Sequence, residues 1–148
     1  MHKNTILTLL SLACLLSSGC SSFHSKWKTA VRQPIPAQDM AGPWEGRWVS
    51  AKNGHTGRLR CVMTQTSPSL YQAHFHATFW KVLRAAYEVP FAATNTAGRF
   101  QFSGESNLGK LGGGRYTYEG TATPSNFDAA YQSKYDHGRF EMARPSGR

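Results

Sequence analysis

Residues 71–79 read YQAHFHATF. Aromatic rings and alanines occupy the odd positions of this stretch, and glutamine, histidine and threonine occupy the even ones. Successive side chains of a β-strand point to opposite faces, so this alternation predicts a strand with one buried face.

The same period of two recurs along the body of the chain. Seven further stretches show it: one that opens at Trp44, then 58–65, 87–93, 99–103, 115–122, 127–132 and 138–143. Turn residues such as Asn53-Gly54 separate these stretches, and no long helical period intervenes. The pattern predicts an all-β fold: about eight antiparallel strands in an up-and-down meander, closed into a barrel because closure removes exposed edges.

The two faces of the predicted strands differ in polarity. Large rings share one face, and Arg, Gln, Glu and Thr dominate the other. Membrane-spanning barrels place apolar residues outward and polar ones in the lumen. We therefore expect the aromatic face to line the interior of a barrel that turns its polar face to water.

Residues 1–19 have the parts of a secretory signal: a basic start at Lys3, an apolar core over 6–16 and small residues before Cys20. The core is too short to remain as a membrane-spanning helix, which needs about 20 apolar residues. We predict that this segment is a helical signal peptide that is removed.

Its exit, residues 16–20 (LSSGC), resembles the lipobox of bacterial lipoproteins, with Ser17 where the family usually has leucine. The resemblance implies cleavage in front of Cys20 and acylation of that cysteine with diacylglycerol and palmitate. Ser21 in place of Asp favours the periplasmic face of the outer membrane. The alternative is ordinary cleavage nearby, which leaves Cys20 as a free thiol.

Residues 20–41 contain Pro34 and Pro36 and are mostly polar. We interpret them as a lipidated, flexible tether to a domain over 42–148. Trp27, between two lysines, could lie at the lipid interface; a solvated linker is the alternative.

The formal net charge of +9 restricts the partners. Basic residues are scattered singly, which argues against nucleic acid and leaves anionic lipid or an envelope polymer as candidate partners. After loss of the signal and acylation of Cys20, only Cys61 remains as a thiol. Cys61 lies in an apolar row, which predicts a core residue.

Gly42-Pro43-Trp44 resembles the G-x-W motif that opens the first strand of the calycins, a group that includes lipocalins and fatty-acid-binding proteins. The resemblance implies that Trp44 closes one end of the barrel, and that a basic residue after the last strand, here Arg144, packs across it. It also implies a compact barrel able to carry a small apolar ligand.

No arrangement of residues predicts catalysis, a cofactor or a metal site. His74 and His76 share a strand face at the spacing of a metal pair, yet zinc needs three or four ligands. We expect both to be solvated strand residues and the protein not to be an enzyme.

Two functions remain. The first is an envelope lipoprotein whose barrel is a structural or interaction module; the alternative is a calycin-like carrier of a lipid or other small apolar ligand. The predicted lining is aromatic: Tyr71, Phe75, Phe79, Tyr87, Phe91, Phe102, Tyr116, Tyr118 and Tyr131. Small residues among them leave room for a ligand or fit a packed core.

Overall fold

A computed structural model describes residues 22–146 of the chain. Eight antiparallel strands form a closed barrel, in which each strand pairs with the next along the chain and the last pairs with the first. The strands are β1 (Gly42–Ser50), β2 (Thr56–Ser67), β3 (Leu70–Phe79), β4 (Leu83–Thr96), β5 (Arg99–Asn107), β6 (Arg115–Ala122), β7 (Asn126–Ser133) and β8 (His137–Ala143). The predicted fold class is confirmed. The predicted signal peptide and Cys20 lie outside the described residues.

Alternation positions the core, as the sequence predicts. Along β3, buried Tyr71, Ala73, Phe75 and Ala77 alternate with less buried polar residues. Strand pairing keeps these rows in phase, with Phe75 opposite Cys61 on β2 and opposite Tyr87 on β4. The inner face of the barrel is therefore almost entirely aromatic and aliphatic.

A helix, α1, covers residues 22–30 and lies on the outer wall. Phe23 and Trp27 are buried with Val62 of β2 in a second apolar cluster, against which Ala30 and Val31 also pack. Phe23, Trp27 and Ala30 of α1, together with Val31 directly after it, follow the i, i+4, i+7, i+8 spacing of an amphipathic helix. The tether was expected to lack regular structure; its described part contains this docked helix because that apolar stripe has a wall to pack against.

Trp27 does not project from the protein as the interface hypothesis required. It is 7% exposed, and the guanidinium of Arg60 lies 4.7 Å from its ring centroid. Among residues 22–146, no helix is long and apolar enough to cross a membrane.

Because the strands alternate in direction, the turns fall at two ends. The Trp44 end consists of turns 68–69, 97–98 and 123–125 with residues 39–41 and 144. The Trp80 end consists of turns 51–55, 80–82, 108–114 and 134–136.

Candidate functional site

The structure places all nine predicted lining residues in or against one core inside the barrel. Tyr71, Phe75, Phe91, Phe102, Tyr118 and Tyr131 are buried, whereas Phe79, Tyr87 and Tyr116 are partly buried and pack against the buried ones.

The rings contact one another along the length of the barrel. From the Trp44 end, ring centroids lie 5.7 Å apart for Trp44–Phe127, 4.7 Å for Phe127–Phe102 and 4.8 Å for Phe102–Phe91. The path continues through Phe75 and Phe140 to Tyr131, with spacings of 6.2, 5.4 and 5.1 Å. Such spacings are typical of packed aromatic pairs. The rings therefore fill the interior across most of its length.

The interior glycines do not provide ligand space in this packing. A Cβ on Gly104 would lie 2.6 Å from Phe91, and a Cβ on Gly120 would lie 2.6 Å from Phe102. In each case the glycine is the direct cross-strand partner of the ring that covers it.

Two further pairs repeat this arrangement toward the Trp80 end. Gly57 pairs with Trp48, and Gly138 pairs with Tyr131. An added Cβ would approach these side chains to 2.5 and 2.7 Å. At all four glycines, the space that the missing side chain leaves is therefore taken by a side chain of the neighbouring strand.

The two described concavities lie on the outer wall. One of about 650 Å³ covers β5–β8 and is lined in part by Glu105, Glu119 and Arg139. The other, of about 450 Å³, lies over β4 and β5 near Thr94 and Gln101. Both are open surfaces rather than enclosed pockets for an apolar molecule.

Four tyrosines gather in the half of the interior toward the Trp80 end. Burial raises the pKa of Tyr118 to about 12 and that of Tyr87 well above its ordinary value, with contributions from neighbouring tyrosines. Burial and the Asp136 carboxylate raise the pKa of Tyr131. Tyr116 completes the group, stacked at 6.3 Å on Tyr118. This half is the more polar part of the core.

The Trp44 end is closed by a layered contact. The Arg144 guanidinium lies 3.7 Å from the Trp44 ring centroid. Trp44 in turn donates its indole N–H to the carbonyl oxygen of Met40 at 2.9 Å, and both residues have no exposed surface. Gly42 has a φ of +103°, and an added Cβ would lie 3.1 Å from Arg144. Glycine therefore suits this close approach.

Arg144 also binds the chain that approaches β1. Its guanidinium donates to the carbonyl oxygens of Asp39, Ala41 and Pro43 at 2.8, 2.8 and 3.2 Å, and to that of Pro124 at 3.0 Å. A guanidinium is planar, positively charged and has several N–H donors, so it can bind several carbonyl oxygens at once.

At the Trp80 end, none of the residues 22–146 forms a comparable cover over the turns. Trp48, 5.0 Å from Phe79 between ring centroids, donates to the carbonyl oxygen of Thr78 at 3.0 Å. Asp136 accepts from Ser50 at 2.6 Å and from Tyr131 at 2.9 Å. These contacts hold the strand ends, and Lys52 joins turn 51–55 to turn 134–136 by donating to the carbonyl oxygen of Tyr135 at 2.8 Å. Trp80, Val82 and Leu111 in the other two turns are exposed.

The two histidines on β3 lie under α1 rather than in open solvent, contrary to the sequence-based expectation. His74 lies 2.8 Å from Glu88, its cross-strand neighbour, and 3.1 Å from the Lys26 ammonium. The His76 ring stacks on Phe23 at 5.1 Å. Burial lowers the pKa of both imidazoles; Glu88 opposes this at His74, and Arg84 adds to it at His76. Among residues 22–146, no group of three or more His, Cys, Asp or Glu is placed to hold a metal ion.

Cys61 lies in the core with no exposed surface, and burial raises the pKa of its thiol. It is a packed core residue rather than a reactive thiol.

Sequence reasoning left Phe140 out of the lining, although its ring touches those of Phe75, Tyr118 and Tyr131. The period of two in 138–143 places it inward and could have identified it. Four other residues that are exposed at the Trp80 end were also missed: Val82, Leu83, Leu111 and Tyr135. Their signal was available, because alternate turns of an up-and-down barrel share an end.

The fold and these contacts define a closed eight-stranded antiparallel barrel with an aromatic interior and two dissimilar ends. Comparison of the chain with protein-family models, with curated proteins and with solved structures gives no match.

Proposed function

We propose that this protein is an envelope lipoprotein, cleaved in front of Cys20 and held by acyl chains on that cysteine at the periplasmic face of the outer membrane. Its barrel is a structural or interaction module that works through its outer surface. The sequence of residues 1–20 supports the anchor.

The observation that carries the choice of module is the pairing of glycines with rings inside the barrel. Gly104 and Gly120 lie directly under Phe91 and Phe102, so a ligand there would have to displace packed aromatic rings. Displacing such rings forfeits their packing contacts. A barrel filled in this way favours binding through the outer wall or the ends.

The carrier alternative is supported by one feature, the four tyrosines toward the Trp80 end. Tyr116 is only partly buried, and its hydroxyl could receive the polar end of an amphipathic ligand. The hydroxyl of Tyr87 lies deeper, since burial raises its pKa well above the ordinary value. Such a ligand would enter from the Trp80 end, because Arg144 and Met40 block the other.

The anchor is tested by metabolic labelling with an alkyne analogue of palmitate in a bacterial host. We expect the native chain to be labelled and found with membranes, and Cys20→Ser to be unlabelled and uncleaved. Cys61→Ala is the matched control and should remain labelled, because Cys61 is buried in the core. Label retained by Cys20→Ser would refute the anchor.

Native mass spectrometry of the protein purified from membranes tests the module. We expect the mass of the cleaved chain with its acyl groups and nothing more. A stoichiometric extra lipid would refute the packed-module function and establish the carrier.

A further inference from the structure

The exposed apolar side chains of the described residues are concentrated at one end of the barrel. Of the six large hydrophobic residues that are exposed in residues 22–146, only Leu70 lies toward the Trp44 end. The other five belong to the Trp80 end or its strand border: Trp80 (69% exposed), Val82 (76%), Leu83 (54%), Leu111 (96%) and Tyr135 (58%). They come from three different turns, so they form the rim of one face rather than a single protruding loop.

Positive charge is concentrated on the same face. Each of its four turns contains one lysine: Lys52, Lys81, Lys110 and Lys134. The only carboxylate in these turns is Asp136, which accepts hydrogen bonds from Ser50 and Tyr131. The turns 68–69, 97–98 and 123–125 at the opposite end contain no charged residue. The lysines of the turns are thus confined to one end, whereas the Trp44 end has Arg99 at the start of β5 and Arg144 bound to backbone carbonyls.

The β3–β4 turn holds its aromatic residue at a conformational cost. Val82 donates its backbone N–H to Phe79 at 3.1 Å, and the two residues between them, Trp80 and Lys81, have φ values of 46° and 66°. Positive φ at both central positions is the feature of turns that favour Asn and Gly. Bulky residues are retained in such conformations mainly at functional positions. A tryptophan and a lysine at this tip therefore indicate a contact made by the tip itself.

Exposed apolar side chains and lysines on the same face indicate one kind of partner. Protein interfaces are enriched in aromatic residues but depleted in lysine. Aromatic rings with a few aliphatic side chains, interspersed with lysines, are typical of surfaces at the interface of a bilayer that contains anionic lipid.

The position of α1 agrees with the same surface. Phe23 stacks on His76, which is three residues from the β3 terminus at the Trp80 end and six residues from the other terminus. At about 3.3 Å per strand residue these distances are about 10 and 20 Å. Cys20 is three residues before Phe23, and three residues span at most about 11 Å. With α1 docked, the chain between Cys20 and Phe23 is long enough to span the distance to the strand termini at the Trp80 end but not the distance to those at the Trp44 end.

We infer that the Trp80 end is a membrane-docking face, which seats Trp80, Val82 and Leu111 among the headgroups of a bilayer containing anionic lipid. The lysines of the turns contact the lipid phosphates, except Lys52, whose ammonium donates to the carbonyl oxygen of Tyr135 at 2.8 Å. The barrel then stands with its Trp44 end away from the membrane. Only the reach from Cys20 rests on the proposed acyl anchor; the face itself does not.

Depth-dependent fluorescence quenching tests this orientation in the full protein. The protein, as purified from membranes, is reconstituted in vesicles of phosphatidylglycerol and phosphatidylcholine whose acyl chains are brominated near the headgroup. Trp27, Trp44 and Trp48 are buried, so the difference between native protein and Trp80→Phe reports Trp80. We expect brominated lipid to reduce the Trp80 emission at least twofold.

The matched control places the reporter at the opposite end. In the Trp80→Phe background, Leu70→Trp introduces a ring at an exposed apolar position, 48% exposed in the native chain. We expect its emission to be unchanged by brominated lipid. Equal quenching at both ends, or none at Trp80, would overturn the proposal.

The charge requirement is tested with Lys81→Gln and Lys110→Gln together. Each lysine near an anionic surface contributes about fivefold in binding, so the ratio of docked to undocked barrels should fall about 25-fold. The matched control is Arg47→Gln with Arg99→Gln, two exposed cations on the strands, which should leave Trp80 quenching unchanged. Equal loss in both double variants would overturn the role of the lysines.

The acyl chain on Cys20 is measured separately by intact mass. A protein without acyl chains that still shows quenching only at Trp80 would refute the anchor and support the face. A fully acylated protein without Trp80 quenching would support the anchor and refute the docking face.

Discussion

Met40 and Trp44 are completely buried at one end of the barrel, whereas Trp80 is 69% exposed at the other. At the first end, Arg144 covers the Trp44 ring and donates hydrogen bonds to backbone carbonyls. At the second, the indole stands at the tip of a turn with a lysine beside it. The same pair of residue types, an aromatic ring and a cation, thus serves closure at one end and exposure at the other.

This difference assigns stability of the barrel mainly to the Trp44 end and the proposed membrane contact to the Trp80 end. The Trp44 end is continuous with the core, because the Trp44 ring contacts Phe127 and the aromatic path begins there. The turns of the Trp80 end lie outside that path. Substitutions at the two ends should therefore separate folding from binding.

The largest effect is expected from Trp44→Ala compared with Trp80→Ala. Removing a buried tryptophan costs about 3–5 kcal/mol in the free energy of unfolding. Removing an exposed one changes it by about 0.5 kcal/mol or less. Urea denaturation followed by circular dichroism measures both; Trp44→Phe is the milder variant if Trp44→Ala does not fold. Similar losses for Trp44→Ala and Trp80→Ala would show that the two ends do not differ as described.

A smaller loss, about 2–4 kcal/mol, is expected for Arg144→Met. This variant removes the stacked cation and leaves partly buried carbonyl oxygens without their donor. Arg144→Lys should recover less than half of the loss, because an ammonium cannot span the same carbonyls. Arg139→Met, an exposed outward cation toward the Trp80 end, is the matched control and should change the free energy of unfolding by about 0.5 kcal/mol or less. Full rescue by Arg144→Lys would mean that charge alone closes this end.

The smallest effect concerns alkaline pH. Tyr71 donates to Asp39 at 2.9 Å, and burial together with Asp39 raises its pKa to about 12 from an ordinary value of 10.0. Folding therefore favours the protonated phenol. Its contribution to stability is complete below pH 10 and is lost as the pH rises toward 12. The thermal midpoint of Tyr71→Phe should fall less steeply over this range than that of the native protein.

A second hydrogen bond from a tyrosine to an aspartate, at the Trp80 end, allows the two ends to be compared at alkaline pH. Tyr131 donates to Asp136, also at 2.9 Å, and its pKa is likewise raised by burial. Tyr131→Phe should flatten the alkaline loss in the same direction. An unchanged slope in Tyr71→Phe would show that its bond to Asp39 contributes nothing that depends on pH.

The strands were predictable because a period of two is a local property. In residues 71–79 every second side chain is aromatic or alanine, so one face of the strand is expected to be buried whatever its neighbours are. Turn residues between the stretches then imply neighbouring antiparallel strands. The inward direction of the nine lining residues follows from the same pattern.

Helix α1 was harder to predict because it is short. Its apolar stripe has only Phe23, Trp27, Ala30 and Val31, and short helices are marginal without a surface to pack on. That surface is supplied by Val62 and His76, which are distant in the sequence. No local signal connects the two segments.

By itself, the amino-acid sequence determined that this protein is a barrel and which side chains face its interior, because alternation and turn chemistry act over a few residues. Only the tertiary structure decided whether that interior is filled. Gly104 and Phe91 are 13 positions apart, and strand register alone sets one under the other. Strand order, unlike register, was predictable: in an up-and-down barrel it places the single lysines of four turns at one end, which makes the two ends of the barrel different surfaces.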